Sequence, residues 1–352
     1  FPENYPIEKA IQPASLDLLI GSKLWAMRGS VRPNKKESIE KLIETFIVEE
    51  IKNDALGAVL LPNRVYLAEI GQTFDFHDEL LTIHANPKSS TGRIDVQTRI
   101  LGNGSDVYDE IKGAYKGKLY VEIIPNFFPP KIKAEDSLSQ IRLSYGNPCM
   151  NDNEVRQLLN EYPLLNDKDR KPIDVEKVRI NKGVILTLDL NGENCHEGII
   201  GYEALRTPLV IDLSKPRSHE WNKFFRPIYA PKEGYLELRP HNFYILSTNE
   251  AVLVPPTTCA ELMPFDSTIG NITTHYAGFI DSGWGYFPKD GLHGNTITLE
   301  ARVYNQPEIV RDGQPIAVLR YERMSGKPKQ FYGHNSNYHQ QIGPCLSKYF
   351  IK

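Results

Sequence analysis

PKSSTGR, running from Pro87 to Arg93, and HYAGFIDSGWG, running from His275 to Gly285 with Thr-Leu-Glu ending at Glu300 behind it, are the stretches on which the reading of this chain turns. The first has the residue types that hold phosphate: adjacent hydroxyls at Ser89 and Ser90, a flanking Lys88, and Arg93, whose planar fork matches phosphate oxygens. The second supplies a turn, aromatic rings and carboxylates. Each also has a plainer reading. Ser-Ser-Thr-Gly-Arg suits a solvated turn, Asp281 before Ser-Gly is a good turn former, Glu300 suits an exposed strand, and Trp284 suits an ordinary core. Their order along one chain favours two parts of one nucleotide site carried on different halves.

Outward from these stretches, the halves share a plan. In the first, a strand ending near Glu69 leads to PKSSTGR, then to KGKLYVE ending at Glu122, then to AEDSLSQIRLSYG ending at Gly146. In the second, Tyr235 to Thr248 leads to PFDSTIGN, then to GNTITLE ending at Glu300, then to RDGQPIAVLRYERMSG ending at Gly326. This is one supersecondary plan used twice. Short β-rich runs dominate both halves: Ala58 to Ile70, Leu119 to Ile124, Gln140 to Tyr145, Val184 to Leu190, Tyr235 to Leu246, Thr296 to Tyr304 and Ile316 to Tyr321. Gly, Pro, Asn and Asp punctuate them, as in an antiparallel sandwich or barrel. Helix spacing recurs at Ile39, Leu42, Ile43, Phe46 and Ile47, and again from Asn153 to Tyr162. The expected domains are residues 1–146 and 171–352, joined by a polar, helix-bearing linker over 147–170.

A chain of 352 residues suits two domains of middling size. A net charge of −3 gives no basic footprint for a nucleic acid polymer, while a single nucleotide needs only a few local cations. The four cysteines are scattered and form no CxxC pair, which argues against a disulfide framework and a zinc ribbon and favours a reducing cytoplasm. The longest apolar runs fall far short of the roughly 20 residues of a membrane helix, and the start of the chain has no signal-peptide pattern, so no membrane partner is expected.

IQPASLDLLIG at Ile11 to Gly21, PKSSTGRID at Pro87 to Asp95, AGFIDSGW with its later TLE, and NYHQQIGPCLS at Asn337 to Ser347 together resemble the dCTP deaminase and dUTPase superfamily. The resemblance spans nearly the whole chain. It implies a mainly β fold of two tandem dUTPase-like distorted β-barrel or β-clip domains with a few short helices. It also implies a homo-oligomer and a deoxynucleotide carrying Mg2+ on its phosphates. Glu300 stands where dCTP deaminases of that superfamily have a glutamate and dUTPases do not, and Trp284 stands where dUTPases favour Tyr.

Hydrolytic deamination adds water to C4 of cytosine, protonates N3 and expels ammonia, and one carboxylate in reach of both water and N3 can move all these protons. The zinc route to this reaction needs a His or Cys with a glutamate two residues on, then P-C-x-x-C, and that pattern does not occur here. Without zinc the base must be stronger than a free carboxylate of pKa about 4.3, which burial in a strand provides. By resemblance, Glu300 is the proton shuttle, Ser89 and the Ala277 carbonyl orient the water, and Lys88, Ser90 and Arg93 hold the triphosphate. Asp281 contacts the deoxyribose, Trp284 shapes the wall, and Tyr332, Tyr338 and Gln341 close over the phosphates. Asn337 falls where many relatives have lysine.

The halves are unequal. Asn271 and Phe265-Asp266 replace Arg93 and Lys88-Ser89 in the second, whereas the first keeps Glu122 and Asp109 but has no Ala-Gly-Phe-Ile-Asp turn. The expected site is therefore composite, with phosphate binding from the first half and chemistry from the second; Glu122 is the other base to weigh. The leading reading is a zinc-independent dCTP deaminase making dUTP, with dUTP or dTTP as further ligands. A dUTPase, a bifunctional enzyme releasing dUMP, and an inactive nucleotide-binding module remain the alternatives.

Overall fold

The β-rich runs form strands, and two of them are cut where the sequence offered continuous strand. Proline has no N–H to give to a ladder, and the residue after each proline, Asn63 at φ 59° and His241 at φ 61°, takes a left-handed turn. In this computed structural model, residues 5–167, 169–192, 195–264, 272–274, 277–287, 294–333 and 336–351 are described. His275 and the expected PFDSTIGN stretch beyond Pro264 lie outside the described residues.

The chain divides into two units, residues 1–147, 206–221 and 347–352 in one and 148–205 and 222–346 in the other. In chain order the first half supplies β1 (Leu16–Leu18), β2 (Ile20–Met27), β3 (Ile47–Lys52), β4 (Ala58–Val59), β5 (Val65–Phe76), β6 (Leu81–Pro87), β7 (Val96–Gly102), β8 (Glu110–Lys112), β9 (Tyr115–Pro125), β10 (Pro130–Ile132) and β11 (Ser139–Tyr145). There follow β12 (Leu165–Asn166), β13 (Val184–Thr187), β14 (Ile199–Ala204), β15 (Ile211–Asp212), β16 (Phe225–Tyr229), β17 (Tyr235–Leu238) and β18 (Phe243–Val252). The last are β19 (Thr258–Pro264), β20 (Ile272–Thr274), β21 (Phe279–Ile280), β22 (Asn295–Val303), β23 (Glu308–Arg311) and β24 (Pro315–Arg323).

Three short α-helices stand among the described residues: α1 (Ile39–Phe46), α2 (Ser89–Gly92) and α3 (Asp152–Glu161). Ser38 caps α1, whose Ile39, Leu42 and Ile43 are buried. Asn151 caps α3 in a capping box closed by Glu154. The stretch offered as a linker thus holds a helix whose Val155, Leu158 and Leu159 join the second unit's core. No described helix is long and apolar enough to cross a membrane.

The fold is mainly β, and its larger sheets come in matching pairs. The first unit stacks its strands β3-β2-β5-β9-β7 and β1-β11-β6-β8; the second stacks β16-β14-β18-β22-β20 and β13-β24-β19-β21. The correspondence reaches single atoms. At the first proline turn, the Leu61 amide donates to the Tyr66 hydroxyl at 2.8 Å and the Asn63 amide to the Pro125 carbonyl at 2.7 Å. At the second, the Arg239 amide donates to the Tyr244 hydroxyl at 2.9 Å and the His241 amide to the Val303 carbonyl at 3.0 Å. One residue beyond each tyrosine the register sets Leu67 opposite Glu122 and Ile245 opposite Glu300. The two glutamates therefore hold the same place in their sheets.

The halves part company after β7. Asp109, at φ 61°, is stitched to that strand twice: the Ile100 amide donates to its Oδ1 at 2.7 Å, and its own amide donates to the Ile100 carbonyl at 3.0 Å. Burial pushes the Asp109 carboxyl up to about 7.

Two predictions follow from these contacts. Tyr66→Phe and Tyr244→Phe each strip an acceptor from a turn amide, and each is expected to lower stability by about 1–2 kcal/mol in equilibrium denaturation. Asp109 ionises near 3.8 when unfolded and near 7 when folded, so the parent loses stability as pH rises between those values. Relative to the parent, Asp109→Asn should therefore gain melting temperature across that window and show no further gain above it.

Candidate active site

In the first unit, β6 ends at Pro87 and the chain turns through α2, so Lys88, Ser89, Ser90 and Arg93 fall on one tight turn. The Lys88 amide donates to the Leu138 carbonyl at 2.9 Å, and the Arg93 amide to the Ser89 carbonyl at 3.1 Å. Ser90 and Arg93 are buried, whereas Lys88 and Ser89 are half-buried. Lys88 forms an ion pair with the buried Asp17 carboxylate. Asp17 sits on β1, the strand of the IQPASLDLLIG stretch. A single acid among apolar residues was the available signal for this counter-ion.

In the second unit, β22 is buried from end to end. Side chains alternate along a strand, so Thr296, Thr298, Glu300 and Arg302 share one face. Glu300 is 2% exposed, and its Oε2 accepts a hydrogen bond from the Ala277 amide at 3.2 Å. The turn from Ala277 is thus fastened to the glutamate it precedes in sequence. Beyond it, the Trp284 amide donates to the Asp281 carbonyl at 3.2 Å, closing the turn in which Asp281 stands half-buried. Gly283 has φ 83°, and a Cβ there would come within 2.6 Å of the Phe331 Cβ, so this crossing requires glycine.

Trp284 is buried, its Nε1 donates to the Asn295 carbonyl at 3.4 Å, and its ring lies 4.8 Å from that of Tyr332. The Tyr332 amide donates to the Ser282 carbonyl at 2.9 Å, which ties the tail to the turn. Tyr338 belongs to the second unit's hydrophobic core. Gln341 is also buried, and its Nε2 donates to the Thr296 carbonyl at 2.7 Å and the Thr298 Oγ1 at 3.1 Å. The structure therefore gathers Glu300, Ala277, Asp281, Trp284 and Tyr332 about one turn, while Tyr338 and Gln341 anchor the tail beneath it. Thr296 and Thr298 went unread in the sequence. Their alternation with Glu300 in NTITLEAR was the signal of a polar face inside a buried strand.

Glu122, the counterpart in the first unit, has different company. It too is 2% exposed, but its Oε2 accepts from the Tyr108 hydroxyl at 3.4 Å, and Arg99 lies opposite it in the β7–β9 register. The Arg99 guanidinium stacks 4.8 Å over the Tyr108 ring. Burial raises the Glu122 carboxyl, with Ser30, Arg99 and Tyr108 pulling it back, and pushes the Tyr108 phenol up to about 12. Among the described residues no group of three or more His, Cys, Asp or Glu side chains could hold a metal ion.

Comparison with known proteins divides the chain after residue 147 as well. Residues 3–147 match the model of the 2'-deoxycytidine 5'-triphosphate deaminase N-terminal domain, and residues 151–350 match that of the C-terminal domain. The crystal structure of 2'-deoxycytidine 5'-triphosphate deaminase from Agrobacterium tumefaciens is 35% identical, with a TM-score of 0.86, over 94% of this chain and 92% of that one. The structure of the CBM32-1 and CBM32-2 domains from Clostridium perfringens ZmpB aligns at 10% identity over 92% of this chain and 97% of that one, but its TM-score of 0.12 carries no weight. No relative among curated protein sequences matches the chain. Two family models that between them span nearly all of it, and a solved structure that agrees over its length, establish that the chain belongs to the 2'-deoxycytidine 5'-triphosphate deaminase family.

Proposed function

We propose that this protein converts dCTP and water to dUTP and ammonia, supplying dUTP for dUMP and dTTP synthesis, with Glu300 as the proton shuttle. The observation that carries the assignment is a carboxylate removed from water on an interior strand and hydrogen-bonded by the first residue of the Ala-Gly-Phe-Ile-Asp turn. A base so placed is held in one orientation, which is what proton transfer among water, N3 and the leaving amine requires. Glu300 takes a proton from water as oxygen adds to C4, delivers it to N3, and moves the second water proton to the departing amine.

Ser89 and the Ala277 carbonyl orient the water. The Ala277 amide is already given to Glu300, so this residue would set base and water by its two backbone groups at once. Lys88, Ser90 and Arg93 hold the triphosphate, Asp281 takes the deoxyribose, and Trp284, braced by Tyr332, walls the site. Tyr338 and Gln341 contribute by fixing the tail along β22.

Mg2+ arrives on the triphosphate, whose oxygens and water are the hard ligands it prefers. The turn fits that arrangement: its donors are cationic or hydroxylic, and its neighbouring carboxylate, Asp17, is engaged by Lys88. No zinc is needed in this scheme, since the carboxylate does the proton work. The matched strand orders and the paired Tyr66 and Tyr244 contacts support a tandem duplication as the origin of the two halves. A cytoplasmic homo-oligomer completes the proposal.

Incubation with dCTP and Mg2+, in parallel with dUTP, tests it by following ammonia and separating the nucleotides on an ion exchanger. Ammonia equal to accumulated dUTP is expected, with dUTP left intact in the parallel reaction. Release of dUMP from either nucleotide would add phosphate hydrolysis and favour the bifunctional reading, and dUMP from dUTP without ammonia from dCTP would make it a dUTPase. Tight binding with no product would overturn the enzyme assignment.

A further inference from the structure

The first unit includes a piece of chain from far along the sequence, residues 347–352, and the manner of its attachment is specific. The buried Ser347 hydroxyl donates to the Ser90 carbonyl at 2.8 Å, inside the PKSSTGR turn. The backbone on either side is fixed as well. The Arg217 amide donates to the Lys348 carbonyl at 2.9 Å, the Ser218 amide to the Tyr349 carbonyl at 3.1 Å, and the Ile351 amide to the His219 carbonyl at 2.9 Å. Phe350 packs against His219, with ring centres 6.4 Å apart. Lys348 is thereby held in place from both sides of its own backbone.

Its position is electrostatically expensive. Burial and the nearby Lys88 ammonium hold Lys348 below the usual lysine range, and Asp17 and Asp136 only partly offset this. Asp17 is already paired with Lys88, and Asp136 is itself pushed up by burial. Arg93 adds a third cation on the same turn. A fold that brings two ammonium groups near one another at this turn, with Asp17 already engaged by one of them, suits a ligand bearing several negative charges.

We propose that Lys348 is a further cation of the triphosphate-binding turn, set by the Ser347–Ser90 clasp so that its ammonium and that of Lys88 grip the same polyphosphate. The inference rests on the reading of PKSSTGR as the phosphate-holding turn and extends it to a residue about 260 positions away in sequence, following from the 257-residue separation of the clasp. Ser347 is a positioning residue and Lys348 a binding one.

Steady-state deamination of Mg-dCTP by the full chain tests this with four variants: Lys348→Gln, Lys348→Arg, Ser347→Ala and Lys88→Gln. A lost charge-assisted contact predicts a KM raised about 10- to 100-fold in Lys348→Gln, with kcat within about twofold of the parent. Lys348→Arg should recover most of the affinity, and Ser347→Ala should raise KM by a smaller factor at unchanged kcat. A parent-like KM in Lys348→Gln alongside a raised KM in Lys88→Gln overturns the inference and leaves the turn's reading intact. Parent-like KM in both removes the reading of the turn, and the inference with it. If Lys348→Gln does not fold, Ser347→Ala decides: a parent-like KM there contradicts the clasp's role.

Discussion

Strand β22 runs through the interior with both faces covered, yet every second residue from Thr296 to Arg302 is polar. A buried polar group left without a partner costs about 1–3 kcal/mol, so the rest of the second unit is arranged to satisfy this stripe. Thr296 donates to the Gly343 carbonyl at 3.2 Å, Thr298 accepts from Gln341 and from the Cys345 amide, and Glu300 accepts from Ala277. The tail is drawn along the strand and the Ala-Gly-Phe-Ile-Asp turn is drawn onto its glutamate by one requirement. Local chain conformation then follows: Gly283 crosses under Phe331 because the turn is pinned at Ala277 before it and at Tyr332 beside it.

The same strand position in the first unit has a different fate. Glu122 is as deeply buried as Glu300, but a phenol and a guanidinium close over it, with Arg99 opposite in the ladder and Tyr108 donating to its carboxylate. A carboxylate engaged in that way is already committed to the protein's own side chains. Two identical sheet positions thus separate by their loops, one occupied by the protein itself and the other bordered by a turn with backbone groups on offer. Function is a property of the site, and in the proposed reading the shared framework carries it in one copy.

Much of this was legible in the sequence. The β-rich runs, the helix expected over Asn153 to Tyr162 and the matching places of Glu122 and Glu300 were readable because each rests on local periodicity or order. The proline turns that cut Ala58 to Ile70 and Tyr235 to Leu246 could have been read from Pro62 and Pro240 alone. Other features depend on contacts far apart in sequence. Lys88 meets Asp17, Ser90 meets Ser347, and Gln341 meets Thr296 and Thr298, with no local pattern naming the partner.

The central claim is that environment, and not strand position, makes one of two equivalent buried glutamates the base. The most direct measurement is kcat for dCTP deamination in Glu300→Gln and Glu122→Gln, made side by side on folded protein. Loss of a general acid–base predicts a fall of about 10²- to 10⁴-fold for Glu300→Gln, with Glu122→Gln close to the parent. An active Glu300→Gln, or a Glu122→Gln as impaired as Glu300→Gln is expected to be, would contradict the account.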